Sequence, residues 1–238
     1  MLQPHEWFDA PLGRHVLDAE RPSVDAALAE AFGFVLLQVG AWGAPGAVLG
    51  THRIPRVVFA DPQGAAGGVR CEAHALPFAA DSIDAVVLAH ALERSPNPHE
   101  VLREAERVLA AEGHLVVLGF EPWSLWGLRR HVGPARFPFD VPHCIGETRL
   151  RDWLSLLGLR TVAVHRLLHG YPFESAGGLR RARFLERVGA RAWPRFGGGY
   201  VLLARKQRQV VTPLRIGRER SVPRFGAAAP VARLGSAA

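Results

Sequence analysis

The sequence predicts an α/β fold in which a mostly parallel sheet carries helices on both faces. Short apolar runs that end at glycine, proline or acidic residues alternate with stretches of helical spacing, and this alternation is typical of right-handed β–α–β crossovers. The chain has 238 residues, and 48% of them are hydrophobic, which is enough to bury one sizeable core. One domain followed by a tail is therefore the simplest organisation.

Strands are predicted where apolar residues run together without helical spacing. The run at residues 34–39 (FVLLQV) lies between glycines and is interrupted only by Gln38, as expected for a central strand that is buried on both faces. The same reasoning predicts strands at residues 56–60, 82–90, 114–119, 161–165 and 199–204, and a short strand at best at 69–72. Their alternation with helical segments favours a parallel sheet.

Helices are predicted from spacing and from end signals. The helix after residues 82–90 begins at Pro98, with Asn97 as its N-cap and Gly113 as its end. Its apolar face consists of Val101, Leu102, Ala105, Val108 and Leu109. A leader helix is predicted over residues 23–32, from Ser23 as the N-cap to Gly33 as the stop, and another helix over residues 147–157.

The positive charge is concentrated at one end of the chain. Residues 205–238 contain eight basic residues and one acidic residue, so they account for the whole formal charge of +7. Any affinity for nucleic acid or an anionic surface is therefore predicted to reside there. We predict a helical leader (residues 1–33), a main domain (34–206) and a basic, disordered tail (207–238) that is rich in Pro, Gly, Ala and Arg.

The cysteines and the hydropathy pattern argue against several classes of protein. Cys71 and Cys144 lie in no Cys-x-x-Cys or Cys–His spacing, and no two histidines flank a carboxylate at helical spacing, so neither a disulfide framework nor a metal site is predicted. No stretch reaches the ~20 apolar residues of a membrane helix. The N-terminal residues also lack the pattern of a signal peptide. We expect a cytoplasmic protein without a transmembrane segment.

Three phrases between Glu72 and Phe120 resemble successive motifs of one enzyme family. They read EAHALPF at residues 72–78, SIDAVVLAHALE at 82–93 and VLREAERVLAAEG at 101–113. They are similar to class I S-adenosylmethionine-dependent methyltransferases of type 11, and most of residues 34–215 resembles an uncharacterised bacterial branch. The resemblance implies a Rossmann-like sheet that ends in an antiparallel hairpin, with insertions at about 121–146 and 167–198.

The same resemblance implies S-adenosylmethionine as the cofactor, bound at the carboxyl ends of the strands. It assigns Glu72 to the adenine amino group, the Ala73 backbone to the adenine ring, and His90 to the lining of the cofactor or acceptor pocket. Asp61 ends the second strand, where such folds hold ribose hydroxyls. As a strand-end acid before Pro62, it could equally form a turn. No catalytic residue is predicted.

The glycine loop after the first strand departs furthest from the family pattern, which is acid-x-Gly-x-Gly-x-Gly. Gln38 replaces the acid and Trp42 replaces a glycine, whereas Gly40 and Gly43 still permit close backbone approach. In one interpretation the loop admits the cofactor, with Trp42 beside it. In the other, Trp42 fills the methionine subsite of a degenerate binding protein with weak or no cofactor binding. Two glycines and two carboxylates remain, which favours the first interpretation.

A nicotinamide-dependent dehydrogenase is the main competing enzyme class, because glycines after a strand also suit pyrophosphate binding. Tyr171 and Tyr200 lie in no Tyr-x-x-x-Lys arrangement, and the Leu76-Pro77-Phe78 block has no counterpart in that class, so we reject it. The methyl acceptor is not identified by any motif. Aromatic residues in the two insertions could line an apolar site or pack a small subdomain, and a small-molecule acceptor is favoured.

Overall fold

The computed structural model describes residues 4–64, 68–132, 141, 143–172, 178 and 197–207. The predicted basic tail, apart from Gln207, lies outside the described residues. So do most of the predicted insertion at 167–198 and part of the one at 121–146.

Seven strands of the described residues form one sheet in the order β3-β2-β1-β4-β5-β7-β6. They are β1 Val35–Val39, β2 Arg56–Asp61, β3 Val69–Arg70, β4 Ile83–Ala89, β5 Leu109–Phe120, β6 Leu159–Leu167 and β7 Gly199–Lys206. The pairs among β1 to β5 are parallel, and β7 runs antiparallel to both β5 and β6. The prediction of a Rossmann-like, mostly parallel sheet that ends in an antiparallel hairpin is confirmed.

Six helices within the described part of the chain surround this sheet. They are α1 Pro4–Asp9, α2 Pro11–Leu28, α3 Ala91–Arg94, α4 Pro98–Val108, α5 Leu125–Val132 and α6 Glu147–Leu156. The predicted helix at 147–157 is confirmed to within one residue.

The leader helix is longer than predicted. The prediction that it begins at Ser23 and stops at Gly33 is wrong, because α2 begins at Pro11, continues through Pro22 and ends at Leu28. Buried residues on both sides of Pro22, including Val16 and Val24, lie on one face of α2, so packing on the sheet holds the helix together across the proline. Such packing normally outweighs local propensity.

The helix α4 begins at Pro98 as predicted but differs at both ends in detail. It ends at Val108, not at Gly113, because the chain enters β5 at Leu109. Within the described residues the Asn97 side chain makes no capping bond to the α4 backbone. Its amide instead donates to Glu100 Oε2 at 3.4 Å.

The two faces of the sheet bury different side chains. The face under α4 and α6 is largely aliphatic, with Leu102, Leu115 and Leu150 among its fully buried members. The face under α1 and α2 contains aromatic rings, including Trp42 and Phe120, together with buried charged residues. Alternate residues of each central strand contribute to the two faces, as the pleat requires.

The carboxyl ends of the central strands meet at one edge of the sheet. Val39 at the end of β1 pairs with Ala60 of β2 and with Leu88 of β4, and Ala89 pairs with Leu118 of β5. The loops that follow these strands therefore lie side by side, and the candidate site is built from them. None of the helices in the described segments is long and apolar enough to cross a membrane.

Candidate functional site

A cavity of about 170 Å³ lies at the carboxyl edge of β1 and β2. Four of the seven residues predicted to contact a cofactor line it: Gly40, Asp61, Glu72 and Ala73. The remainder of its lining consists of Pro62, His74, Ala91, Arg94, Ser95 and Pro96. These residues are far apart in the sequence. The sheet brings them together, because it places the ends of β1 and β2 and the start of α3 side by side.

The backbone at Gly40 leaves no room for a side chain. Its φ is +93°, and a Cβ atom placed there would lie 2.7 Å from the carbonyl oxygen of Ala89. Only glycine accommodates both conditions. The path of the backbone after β1, against the end of β4, therefore requires glycine at this position.

The carboxylate of Asp61 is buried, and its hydrogen bonds fix the backbone that forms one wall of the cavity. Its Oδ2 accepts a hydrogen bond from the Ala41 amide at 2.7 Å, and its Oδ1 accepts one from the Gln63 amide at 2.9 Å. Arg94 donates to the Ala41 carbonyl at 3.1 Å. The turn interpretation and the ligand interpretation of Asp61 are thus compatible, because a carboxylate oxygen can accept more than one hydrogen bond.

Gln38 carries a buried acceptor that none of the described residues satisfies. Its Nε2 donates to the Gly40 carbonyl at 3.1 Å, which leaves its Oε1 buried without a hydrogen bond from the described part of the chain. A buried acceptor without a donor costs about 1–3 kcal/mol. Gln38 therefore offers a buried acceptor beside Gly40, although it is not among the described residues that line the cavity.

Glu72 is exposed at the mouth of the cavity. Burial, and then the charges of Asp61 and Glu72, raise the pKa of the neighbouring Cys71 thiol. The loop after Glu72 is fixed from α4. Glu104 accepts from the Leu76 amide at 2.9 Å, and Arg107 donates to the Phe78 carbonyl at 2.9 Å.

The hydrogen bonds of Glu104 and Arg107 with the loop after Glu72 were not predicted from the sequence. There, the phrase at residues 101–113 indicated only a packed helix. Arg107 also donates to Glu104, and this hydrogen bond lowers the pKa of the Glu104 carboxyl. The signal was present in the phrase, because Glu104 and Arg107 are three residues apart and lie on one face of a helix.

Trp42, Gly43 and His90 are not among the described residues that line this cavity. Trp42 and His90 are fully buried, and their rings stack with centroids 3.8 Å apart. Gly43 has a φ of +77°, and a Cβ placed there would lie 3.1 Å from Leu17 of α2. Trp42 and His90 are therefore buried in the core, and Gly43 in the glycine loop faces α2.

His90 is the centre of a buried array of charged groups. Its Nδ1 lies 2.6 Å from Glu93 Oε2, and its Nε2 lies 2.8 Å from Glu20 Oε1. Glu20 Oε2 accepts from the Trp42 indole at 2.7 Å, and Glu93 Oε1 accepts from the Phe120 amide at 2.7 Å. We call Glu20, His90 and Glu93 the buried array.

The array holds its histidine as a cation. Burial alone would lower the pKa of His90, but the charge of Glu20 and the hydrogen bonds of Glu20 and Glu93 raise it to about 9. Burial raises the pKa of Glu93 in spite of its hydrogen bonds to His90 and Phe120. Both ring nitrogens face carboxylate oxygens, which is the arrangement that an imidazolium satisfies and a neutral imidazole does not.

Sequence reasoning missed Glu20 and Glu93. A signal existed for Glu20, which stands between Val16 and Val24 at spacings of four residues, in the apolar stripe of α2. An acid in such a stripe needs a buried partner. Its partner is 70 residues away along the chain, and the sequence alone does not identify it.

A larger cavity of about 740 Å³ lies beside the first, beyond the end of β5. Pro96 lines both cavities. Rings and prolines make up much of the lining, including Trp123, Trp153, His99, His143, Pro98 and Pro122. The described residues contain no group of three or more side chains that could hold a metal ion.

Comparisons with known proteins agree on the fold. A family model described as a methyltransferase domain matches residues 32–117. The uncharacterized protein YafS of Escherichia coli (strain K12) is 34% identical over 183 residues, which cover 75% of this chain and 74% of that protein.

Two solved structures illustrate the likeness. A SAM-dependent methyltransferase of Thermotoga maritima, a possible histamine N-methyltransferase, has a TM-score of 0.62 at 18% identity, over 85% of this chain and 94% of that one. A putative methyltransferase of Haloferax volcanii, in complex with the Trm112 methyltransferase activator, has a TM-score of 0.56 at 16% identity, over 87% and 98%. At these identities the two structures support the fold alone.

Proposed function

Because the chain belongs to the class I S-adenosylmethionine-dependent methyltransferases, we propose that it transfers a methyl group from S-adenosylmethionine to a small-molecule acceptor. The observation that carries this proposal is the convergence of Gly40, Asp61 and Glu72 on one cavity at the carboxyl edge of the sheet. The segment after β1, the last residue of β2 and the segment after β3 supply these residues, and each has the chemistry that one part of the cofactor needs.

The proposed contacts follow from the position of each group. The Gly40 backbone approaches the methionine part of the cofactor, and Gln38 Oε1 accepts a hydrogen bond from its ammonium group. Asp61 holds the ribose hydroxyls. Glu72 accepts from the adenine amino group, with the Ala73 backbone against the ring. The two carboxylates of the cavity, Asp61 and Glu72, also favour a cationic ligand.

When bound, the cofactor supplies an electrophilic methyl group on a sulfonium ion. The residues of this chain then have to hold that group in line with the acceptor and exclude water. Trp42 and His90, which were predicted to contact the cofactor together with Gly43, would act from behind the cavity wall by holding the glycine loop in place.

The larger cavity is the proposed acceptor site. Its volume of about 740 Å³ suits a small molecule, and Pro96 is common to both linings, so an acceptor there would lie next to the cofactor. An affinity of the basic tail for nucleic acid or an anionic surface stays a prediction from the sequence.

Isothermal titration with S-adenosylhomocysteine tests the cofactor site. We expect wild-type protein to bind, and Glu72→Gln to weaken binding about tenfold, because one hydrogen bond to a charged acceptor is weakened. Glu100→Gln is the matched control: this exposed acid lies in α4 away from the cavity lining, and its replacement should leave the affinity unchanged. If wild-type protein gives no heat at millimolar ligand, the chain is instead a degenerate binding protein.

A further inference from the structure

A single carboxylate of α2, that of Glu20, contacts two segments of the chain that lie behind the candidate cofactor cavity. Glu20 Oε2 accepts from Trp42 in the glycine loop at 2.7 Å, and Glu20 Oε1 lies 2.8 Å from His90 at the end of β4. Both oxygens are engaged, and the side chain is almost completely buried. A single residue of α2 therefore holds the loops after two strands of the sheet.

The glycine loop is held from two opposite sides. On the cavity side, Asp61 accepts from the Ala41 amide, and Arg94 donates to the Ala41 carbonyl. On the core side, Glu20 holds the next residue, Trp42. Because Ala41 and Trp42 share a peptide bond, a shift of the indole would move the backbone to which Asp61 and Arg94 are bonded.

The indole depends on Glu20 for its place in the core. Trp42 has no exposed surface, and its ring contacts Phe8 edge to face at a centroid distance of 4.7 Å in addition to stacking on His90. An indole N–H buried there without an acceptor would cost the desolvation of a polar group. Without the carboxylate, a different position of the ring becomes favourable, and the loop follows it.

We propose that Glu20 is a positioning residue of the cofactor site, which holds residues 40–42 in the path that shapes the cavity through its contacts with Trp42 and His90. The leader helix is then a part of the site, although none of its residues lines the cavity in the described part of the chain. The effect on ligand affinity rests on the proposed function, whereas the effect on the loop does not.

Three variants distinguish an effect of Glu20 on the position of the glycine loop from a general effect on the stability of the protein. Glu20→Ala removes both contacts, and we expect it to weaken S-adenosylhomocysteine binding by about tenfold. Glu20→Gln should stay within about threefold of wild type, because its amide can accept from Trp42 and donate to a neutral His90. Val24→Ala is the matched control, since this fully buried residue lies one turn further along α2, outside the array. It should destabilise the protein without changing the affinity.

Affinities are measured by titration calorimetry, at a temperature where thermal unfolding curves show every variant to be folded. If Glu20→Ala binds like wild type, or if Val24→Ala weakens binding equally, the proposal is overturned. A failure of Glu20→Gln to restore binding would overturn its hydrogen-bond basis. If Glu20→Ala does not fold, Trp42→Phe is tested in its place, because phenylalanine keeps an aromatic ring and lacks the indole N–H. A Trp42→Phe variant that binds S-adenosylhomocysteine as tightly as wild type would then contradict the proposal.

Amide hydrogen exchange of residues 40–43 gives a second readout that needs no ligand. We expect exchange at least about tenfold faster in Glu20→Ala than in wild type and unchanged in Val24→Ala, because only the first releases the loop. Absence of binding in wild-type protein would refute the proposed function alone, and the exchange rates would still decide whether Glu20 holds the loop. Equal exchange in the two variants would refute the positioning role.

Discussion

The two faces of the sheet are stabilised by different kinds of interaction. Under α4 and α6 the buried contacts are largely aliphatic, and such contacts are non-directional and tolerant of small shifts, as with Leu102 and Leu115. Under α1 and α2 the buried array relies on short hydrogen bonds of the Glu20 and Glu93 carboxyl groups with His90 and Trp42, which fix positions as well as adding free energy. The comparison indicates that the aliphatic face supports the fold, whereas the aromatic and charged face fixes the geometry of the glycine loop.

The largest expected effect comes from removing the cation of the array. His90→Ala leaves Glu20 and Glu93 buried without their common partner, so we expect the free energy of unfolding to fall by about 4 kcal/mol. Urea denaturation followed by circular dichroism measures this change.

The matching variant on the aliphatic face is Leu102→Ala, for which we expect a loss of about 3 kcal/mol from the cavity that it creates. Leu102 is fully buried among the hydrophobic residues of the aliphatic face. A loss below about 1 kcal/mol for His90→Ala would mean that the two faces do not differ in the way described here.

The two faces should also differ in their dependence on pH. The pKa of His90 is raised to about 9 in the folded chain from an ordinary value of 6.5. The stabilisation from His90 is therefore fully present below pH 6.5 and is lost as the pH rises through about 9. Between these values the free energy of unfolding should fall by about 3 kcal/mol.

Urea denaturation at a series of pH values measures this slope. The same slope should persist in Leu102→Ala, which leaves the array intact, and should disappear in His90→Ala. Tyr200, whose pKa is raised by burial and by the charge of Glu93, titrates above this range and does not contribute to the slope. A flat profile in wild-type protein between pH 6.5 and 9 would contradict the assignment of a buried imidazolium.

The smallest expected effect lies at the start of α4, on the aliphatic face. Since the Asn97 side chain makes no capping bond to the described backbone, Asn97→Ala should change the free energy of unfolding by less than about 0.5 kcal/mol. A loss near 1 kcal/mol in thermal or urea denaturation would show that the side chain caps α4 in solution.

The aliphatic face could be predicted from the sequence because its signals are local. The run at residues 34–39 and the stripe of α4 each predict one element, and the order of the elements predicts the sheet. The errors were also local in origin. Ser23 resembles an N-cap but lies inside α2, and Gly113 resembles a helix end but lies inside β5.

The charged face could not be predicted because its contacts join distant residues. Trp42 was expected beside or inside the methionine subsite, since in the sequence it replaces a loop glycine. Its indole instead bonds to Glu20 and stacks on His90. No spacing in the sequence relates these three positions, and the unsatisfied Oε1 of Gln38 is likewise visible only when the sheet is formed.

The position of β7 has a consequence for synthesis of the chain. This strand lies between β5 and β6, although it follows both in sequence, so β6 has no neighbour in the sheet until β7 arrives. Lys206 at the end of β7 then donates to the Leu109 carbonyl and to Asp81, each at 2.8–2.9 Å, at the opposite end of β5 from the cavities. While the protein is being made, β5 is therefore an open edge until residues 199–206 have left the ribosome, and a chain released earlier loses two strands of the sheet, not one.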